Sequence, residues 1–89
     1  MWINIWRRIF KWRNGKGKEY YDKGKLIFEG EYLNGKRNGK GKEYDDYNGK
    51  IRFEGEYLKG KRNGKGKEYN FDGKLAFEGE YLNGEIIEN

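Results

Sequence analysis

Phe28–Tyr44 reads FEGEYLNGKRNGKGKEY, and both halves of this stretch recur along the chain. The first phrase, FEGEYLNG or FEGEYLKG, stands at 28–35, 53–60 and 77–84. The second phrase, RNGKGKEY, stands at 13–20, 37–44 and 62–69. Each phrase returns after 24 or 25 residues, a period at which every unit buries its apolar face only against its neighbours. The chain is therefore predicted to be a stack of short repeated units.

The repeated phrases have the period of a β-strand. In the first copy Phe28, Gly30 and Tyr32 share one face, and two glutamates occupy the other. Asn-Gly and Asp-Gly steps favour hairpin turns, because both central residues of a type I′ turn need a positive φ. These steps stand at 14–15, 34–35, 38–39, 48–49, 63–64, 72–73 and 83–84. Each unit is predicted to contain a strand, a turn around NGKRNG and a second strand, KGKEY. The glycines that alternate with the aromatic residues are expected to leave room for rings on the backbone.

The composition excludes several classes of function. The chain has 89 residues and no Cys or His, and Ser and Thr are absent as well. The usual nucleophile–base pairs of covalent catalysis are therefore impossible, as are disulfides and thiolate metal sites. The sequence predicts no catalytic residue, no metal and no cofactor. It also predicts no small-molecule substrate, so the protein is not expected to be an enzyme.

The stretch YDDYNGKIRFEGEYLKGKRNGKGKEYNFDGKLAFEGEYLNG, residues 44–84, resembles tandem MORN repeats. It is similar to the Lys/Asn/Gly-rich variety found in bacterial proteins of antitoxin or immunity type, and the similarity covers residues 13–84. The resemblance implies an elongated, open, single-layer stack of β-hairpins. It also implies binding rather than chemistry: scaffolding, dimerisation, and an affinity for acidic phospholipids. The predicted fold class is all-β, with a short amphipathic helix as an N-terminal cap.

Two repeated residue sets have competing interpretations. Carboxylate pairs such as Glu29/Glu31 could serve glycoside hydrolysis, but cross-strand ion pairs with Lys40/Lys42 and Lys65/Lys67 are the favoured interpretation. The aromatic residues could stack nucleic-acid bases, or Tyr32, Tyr57 and Tyr81 could line a groove for a partner. A role as the core is favoured, because no other residues can supply one. Residues 19–89 are nearly neutral, so nucleic-acid binding is a weaker alternative.

The first twelve residues, MWINIWRRIFKW, do not match the repeat. Placed on a helical period, residues 2–12 form a broad apolar arc beside a narrow basic one, which predicts an amphipathic helix. Residues 1–18 also carry six Lys or Arg and no acid. The candidate residues for binding a partner or lipid are Trp2, Trp6, Arg7, Arg8, Lys11, Trp12, Arg13, Lys16 and Lys18. Three roles stay open: a cap on the stack, a protein interface that includes a second copy of the chain, or contact with a membrane surface.

The sequence predicts two segments. Residues 1–12 form a basic and aromatic segment, and residues 13–89 contain about three repeat units. The expected function is a non-enzymatic module that binds, inhibits or scaffolds a partner protein. The alternative is peripheral binding to acidic phospholipid membranes through residues 2–18. The expected location is the cytoplasm, or the membrane surface under that alternative.

Overall fold

The computed structural model describes residues 14–87, which form one antiparallel sheet whose strands follow chain order. The strands are β1 (Asn14–Tyr21), β2 (Lys25–Leu33), β3 (Lys36–Tyr44), β4 (Ile51–Leu58), β5 (Lys61–Tyr69), β6 (Leu75–Leu82) and β7 (Glu85–Ile86). A 3₁₀ turn, Asp22–Gly24, joins β1 to β2. The sheet is open, because β1 and β7 lie at opposite edges. This confirms the all-β stack, while the predicted helix over residues 2–12 lies outside the described residues.

Three tight turns close the hairpins. They are Asn34–Gly35, Lys59–Gly60 and Asn83–Gly84, and φ is positive at both positions of each. These are the two-residue turns that match the right-handed twist of the flanking strands. Only the turns with asparagine were anticipated from the sequence, because Lys59 breaks the Asn-Gly pattern while occupying the same place in the repeat.

The Asn-Gly step that follows each of the first two tight turns makes a bulge, so the turn predicted around NGKRNG occupies only the first two residues of that stretch. Strand β3 begins at Lys36, directly after the turn. Tyr32 pairs with Arg37 and Gly30 with Gly41, so three residues of β3, 38–40, oppose the single residue Glu31. Gly39 accommodates the bulge with a φ of 104°, a conformation that glycine adopts without steric cost. The equivalent irregularity recurs between β4 and β5.

Lys59 provides a test of the turn chemistry. Its φ of 51° places a lysine in the left-handed region, where asparagine is better tolerated. The substitution Lys59→Asn is expected to stabilise the protein by about 0.5–1 kcal/mol, as measured by urea denaturation. The matched control is Lys61→Asn, which makes the same change at the adjacent strand position and is expected to bring no gain. Equal effects of the two changes would contradict the assignment.

Aromatic rings from alternate strands form the core. The buried side chains are Phe28, Tyr32, Phe53, Tyr57 and Tyr81. Phe28 of β2 and Tyr57 of β4 meet edge to face, with their centroids 5.2 Å apart. Between them lies Gly41 of β3, where a Cβ atom would come within 2.5 Å of the Phe28 ring. The rings therefore meet across β3 because this strand has no side chain there. Gly30, one of the glycines that alternate with the aromatic residues, leaves room for the ring of its own strand instead, since a Cβ atom there would lie 2.9 Å from the Phe28 ring.

Arginines cover these rings on the outer side. The Arg62 guanidinium lies 3.9 Å from the centre of the Phe53 ring, and it donates two hydrogen bonds to Glu43, at 3.1 and 3.0 Å. Arg37 repeats the arrangement over Phe28, at 4.0 Å, with two hydrogen bonds to Glu19. Paired Arg–carboxylate contacts of this kind are strong and directional. They complete a core that a single-layer sheet cannot enclose by apolar contacts alone.

The tyrosine hydroxyls join the same arrangement. Tyr32 donates to Glu19 at 2.6 Å, Tyr57 donates to Glu43, and Tyr81 donates to Glu68. Burial raises the pKa of the Tyr57 phenol, and the hydrogen bond to the Glu43 carboxylate raises it further. These phenols therefore stay protonated and act as donors to the carboxylates.

Stability is expected to fall in acid because of Glu43. Burial raises the pKa of its carboxyl, but hydrogen bonds from Arg62 and Tyr57 outweigh burial, so the net pKa is lowered from its ordinary 4.5. A group whose pKa is lowered by folding stabilises the fold fully above the unfolded pKa, and that contribution is lost as pH falls through the folded pKa. Urea denaturation below pH 4.5 is expected to show a shallower decline in Glu43→Gln than in the parent protein. Parallel declines would contradict this role.

Candidate interaction groove

An open groove of about 970 Å³ lies on the face of the sheet opposite the aromatic core. Each of the strands β1–β6 contributes two charged side chains of the same sign, one on either side of a glycine. These are Lys16 and Lys18, Glu29 and Glu31, Lys40 and Lys42, Glu54 and Glu56, Lys65 and Lys67, and Glu78 and Glu80. We call this surface the charged groove and each pair of like charges a row. The sign of the charge alternates from one row to the next.

The strand register builds the rows. Gly17, Gly30, Gly41, Gly55, Gly66 and Gly79 pair successively across the sheet. Since alternate residues of a strand point to opposite faces, the residues flanking each glycine point into the groove. The KGK and EGE segments of the repeat therefore become neighbouring rows.

The lysine amines of the groove are exposed to solvent. Lys40, Lys42, Lys65 and Lys67 are all exposed. The register places Lys42 opposite both Glu29 and Glu54, which confirms the predicted opposition of charges. Within residues 14–87, however, the ion pairs between oppositely charged side chains, with nitrogen and oxygen no more than 4.0 Å apart, all involve arginine. The predicted Lys–Glu ion pairs are therefore not formed within these residues, and the lysines are exposed to solvent.

The glutamates of the groove are held more firmly than the lysines. Glu31 accepts a hydrogen bond from the Lys40 backbone N–H at 3.0 Å, and Glu54 accepts one from the Tyr69 hydroxyl at 3.0 Å. Burial raises the pKa of the Tyr69 phenol, and the hydrogen bond to Glu54 raises it further. Glutamates of the β2 and β4 rows are therefore held in position, whereas the lysines of the basic rows are exposed.

The comparison with protein families agrees with this architecture. The MORN repeat matches residues 28–49 and 53–74, and the MORN repeat variant matches residues 13–34. The chain belongs to the MORN-repeat family. A comparison with curated proteins finds no relative that matches this MORN-repeat protein. In the described part of the protein, no helix has the length and apolarity needed to cross a bilayer.

The MORN-repeat stack brings some of the predicted binding residues into the groove. Lys16 and Lys18 on β1 form its first basic row. The other candidates of the N-terminal segment lie outside the described residues: Trp2, Trp6, Arg7, Arg8, Lys11, Trp12 and Arg13. What the sequence interpretation missed is that the KGK and EGE rows form one continuous groove. The sequence signal for this groove was a glycine flanked by two like charges in each phrase, EGE and KGK.

The aromatic groove predicted as an alternative needs correction. Tyr32, Tyr57 and Tyr81 are only 7%, 4% and 2% exposed, because each ring packs edge to face on a phenylalanine of the core. Their hydroxyls are taken by glutamates. These tyrosines form the core of the MORN-repeat stack, as the favoured interpretation held, and do not line an accessible groove.

Proposed function

We propose that this MORN-repeat protein is a non-enzymatic module that binds a partner protein through the charged groove, together with residues 2–18. The observation that supports the proposal is the set of alternating charged rows whose lysines form no ion pair within residues 14–87. Charged groups left available in a groove give orientation and specificity to a protein interface more than raw affinity. Inhibition of the partner, as in the antitoxin-type repeats that the sequence resembles, and scaffolding are two forms of this role.

Apolar side chains beside the groove favour a protein partner over a purely ionic one. Leu33, Leu58 and Leu82 are 49%, 46% and 55% exposed. Each leucine lies two residues after a groove glutamate on the same strand. It therefore lies on the groove face of the sheet, next to the hairpin turn. Interfaces combine an apolar centre with charged surroundings, and a second copy of this chain is one partner with such a surface.

Reversal of one basic row tests the proposal. The double variant Lys40→Glu/Lys42→Glu is expected to lose the proteins that the parent chain retains from an extract of its source cells. A matched control, Lys50→Glu/Lys74→Glu, makes the same charge change in the connections between hairpins and is expected to retain them. Because like charges opposite each other weaken a sheet, Lys40→Gln/Lys42→Gln serves as a milder variant, and the Tm of each is measured. Retention of the same proteins by all variants would overturn the proposal.

A second candidate is peripheral binding to acidic membranes through residues 2–18. Lys16 and Lys18 are exposed on the edge strand β1, and they extend onto the sheet a basic segment that contains no acid. Each basic residue near an anionic surface contributes about 1 kcal/mol, which salt weakens. This candidate predicts salt-sensitive binding to vesicles of phosphatidylcholine and phosphatidylserine that weakens in Lys16→Glu/Lys18→Glu. Binding that is absent or insensitive to that change would exclude it.

A further inference from the structure

We propose that the charged groove recognises an α-helical segment of its partner, with acidic and basic side chains alternating every three to four residues along one face. This inference rests on the proposed function, because it names the kind of structure that the groove would bind. The observation behind it is the alternation of sign between successive rows, + − + − + − from β1 to β6. A partner that satisfies every row must present the complementary alternation at the same spacing.

The spacing of the rows matches a helix. Neighbouring strands lie about 4.8 Å apart, so the rows of six strands extend over about 24 Å. Charges at the a and d positions of successive heptads are three and four residues apart, and at 1.5 Å per residue their mean axial spacing is about 5.25 Å. Summed over the five intervals between rows, the spacing of the helix charges exceeds the spacing of the rows by only about 2 Å. Flexible Lys and Glu side chains can adjust by that distance.

An extended segment does not match the rows. Side chains on one face of a β-strand are two residues apart, or about 6.7 Å. Five such intervals span about 33 Å, which exceeds the length of the groove by about 9 Å. The charges of an extended partner would therefore fall progressively out of register with the rows of the groove. Like charges of partner and groove would face each other before the partner reached the far strands. The arithmetic favours a helix lying across the strands.

The groove can supply the opposing charges. Its basic rows are exposed and adaptable, as described for Lys40, Lys42, Lys65 and Lys67. Its acidic rows on β2 and β4 contain glutamates held by hydrogen bonds, such as that from the Lys65 backbone N–H to Glu56 at 3.0 Å. The residue between the two charges of a row faces the aromatic core, because alternate residues of a strand point to opposite faces. No side chain therefore stands between the two charges in the groove, and a helix can approach the backbone along that line.

Two synthetic helical peptides test the inference, each about 18 residues long so as to span the groove. In the first, Glu and Lys alternate at the a and d heptad positions; in the second, the same residues are arranged as an acidic block followed by a basic block. Both are stapled on the face away from the charges, so that circular dichroism shows equal helicity. The alternating peptide is expected to bind the full chain at least about tenfold more tightly in titration calorimetry, with the difference shrinking as salt rises.

Charge reversal across the interface provides the decisive control. The variant Lys40→Glu/Lys42→Glu is expected to lose about tenfold in affinity for the alternating peptide. A peptide with the facing Glu changed to Lys should restore it, whereas Lys50→Glu/Lys74→Glu should change nothing. Equal binding of the alternating and block peptides, binding of neither, or no restoration would overturn the helical inference. The proposed function fails separately, if the row-reversed protein keeps its cellular partners.

Discussion

Replacement of Tyr57 by alanine is expected to lower the free energy of unfolding by about 3–5 kcal/mol, the usual cost of removing a buried aromatic ring. Tyr57 is 4% exposed and lies edge to face with both Phe28 and Phe53. Its loss therefore opens the core between two hairpins. Because a small domain is stable by only about 5–15 kcal/mol, the change removes a large share of the stability. Urea denaturation at neutral pH measures it.

Three controls separate the contributions of Tyr57. Tyr47→Ala removes the same side chain from a position that is 82% exposed, and it is expected to cost less than about 1 kcal/mol. Glu54→Ala, on the groove face, is also expected to cost less than about 1 kcal/mol. Tyr57→Phe keeps the ring but loses the hydrogen bond to Glu43, at an expected cost of about 1–2 kcal/mol. Similar losses in Tyr57→Ala and Tyr47→Ala would contradict the structure of the core.

Replacement of Arg62 by alanine is expected to cost about 2–3 kcal/mol. The change removes two hydrogen bonds from the guanidinium to the Glu43 carboxylate. A hydrogen bond to a charged group contributes about 1.5–3 kcal/mol to stability before solvent screening is considered. It also uncovers the Phe53 ring, on which the guanidinium rests at 3.9 Å. Both side chains of the Arg62–Glu43 pair are about a quarter exposed, so the expected loss stays below the 3–5 kcal/mol, roughly, of a broken buried pair.

Arg52 provides the matched control for Arg62. It forms an ion pair with Asp45 at 2.7 Å, but its side chain is 45% exposed and covers no core ring in the described residues. Arg52→Ala is therefore expected to cost less than about 1 kcal/mol. If the two arginine variants unfolded at the same urea concentration, the arginine cover over the aromatic core would not be a source of stability.

Much of the architecture could be predicted from the sequence, because each position of the repeat occurs in three copies. The period-two pattern placed Phe28, Tyr32 and their equivalents on one face, where the structure buries them. Local steric preferences and hydrophobic burial act within a single repeat unit. The sequence of one unit is therefore enough to predict its strands and its buried face.

The sequence did not predict as well which Asn-Gly steps form turns and which form bulges. Asn34–Gly35 and Asn38–Gly39 are the same dipeptide, yet one closes a hairpin and the other forms a bulge. Asn38 also accepts a hydrogen bond from the Lys59 backbone N–H of the following turn, at 3.2 Å. This contact joins residues 21 positions apart in the chain, and short-range turn preferences do not contain it.

The sequence by itself determined the hairpin repeat, the aromatic face and the glycines beneath the rings, because each depends on alternation within one strand. Only the tertiary structure decided the partners of the charges. Arg62 lies over Phe53 and binds Glu43, 19 residues away, while the lysines opposite glutamates stay unpaired within the described strands. A guanidinium can stack on a ring and bind a carboxylate at once, whereas a lysine amine remains well hydrated. That choice depends on burial and distance across strands, and it leaves the lysines of the charged groove exposed to solvent.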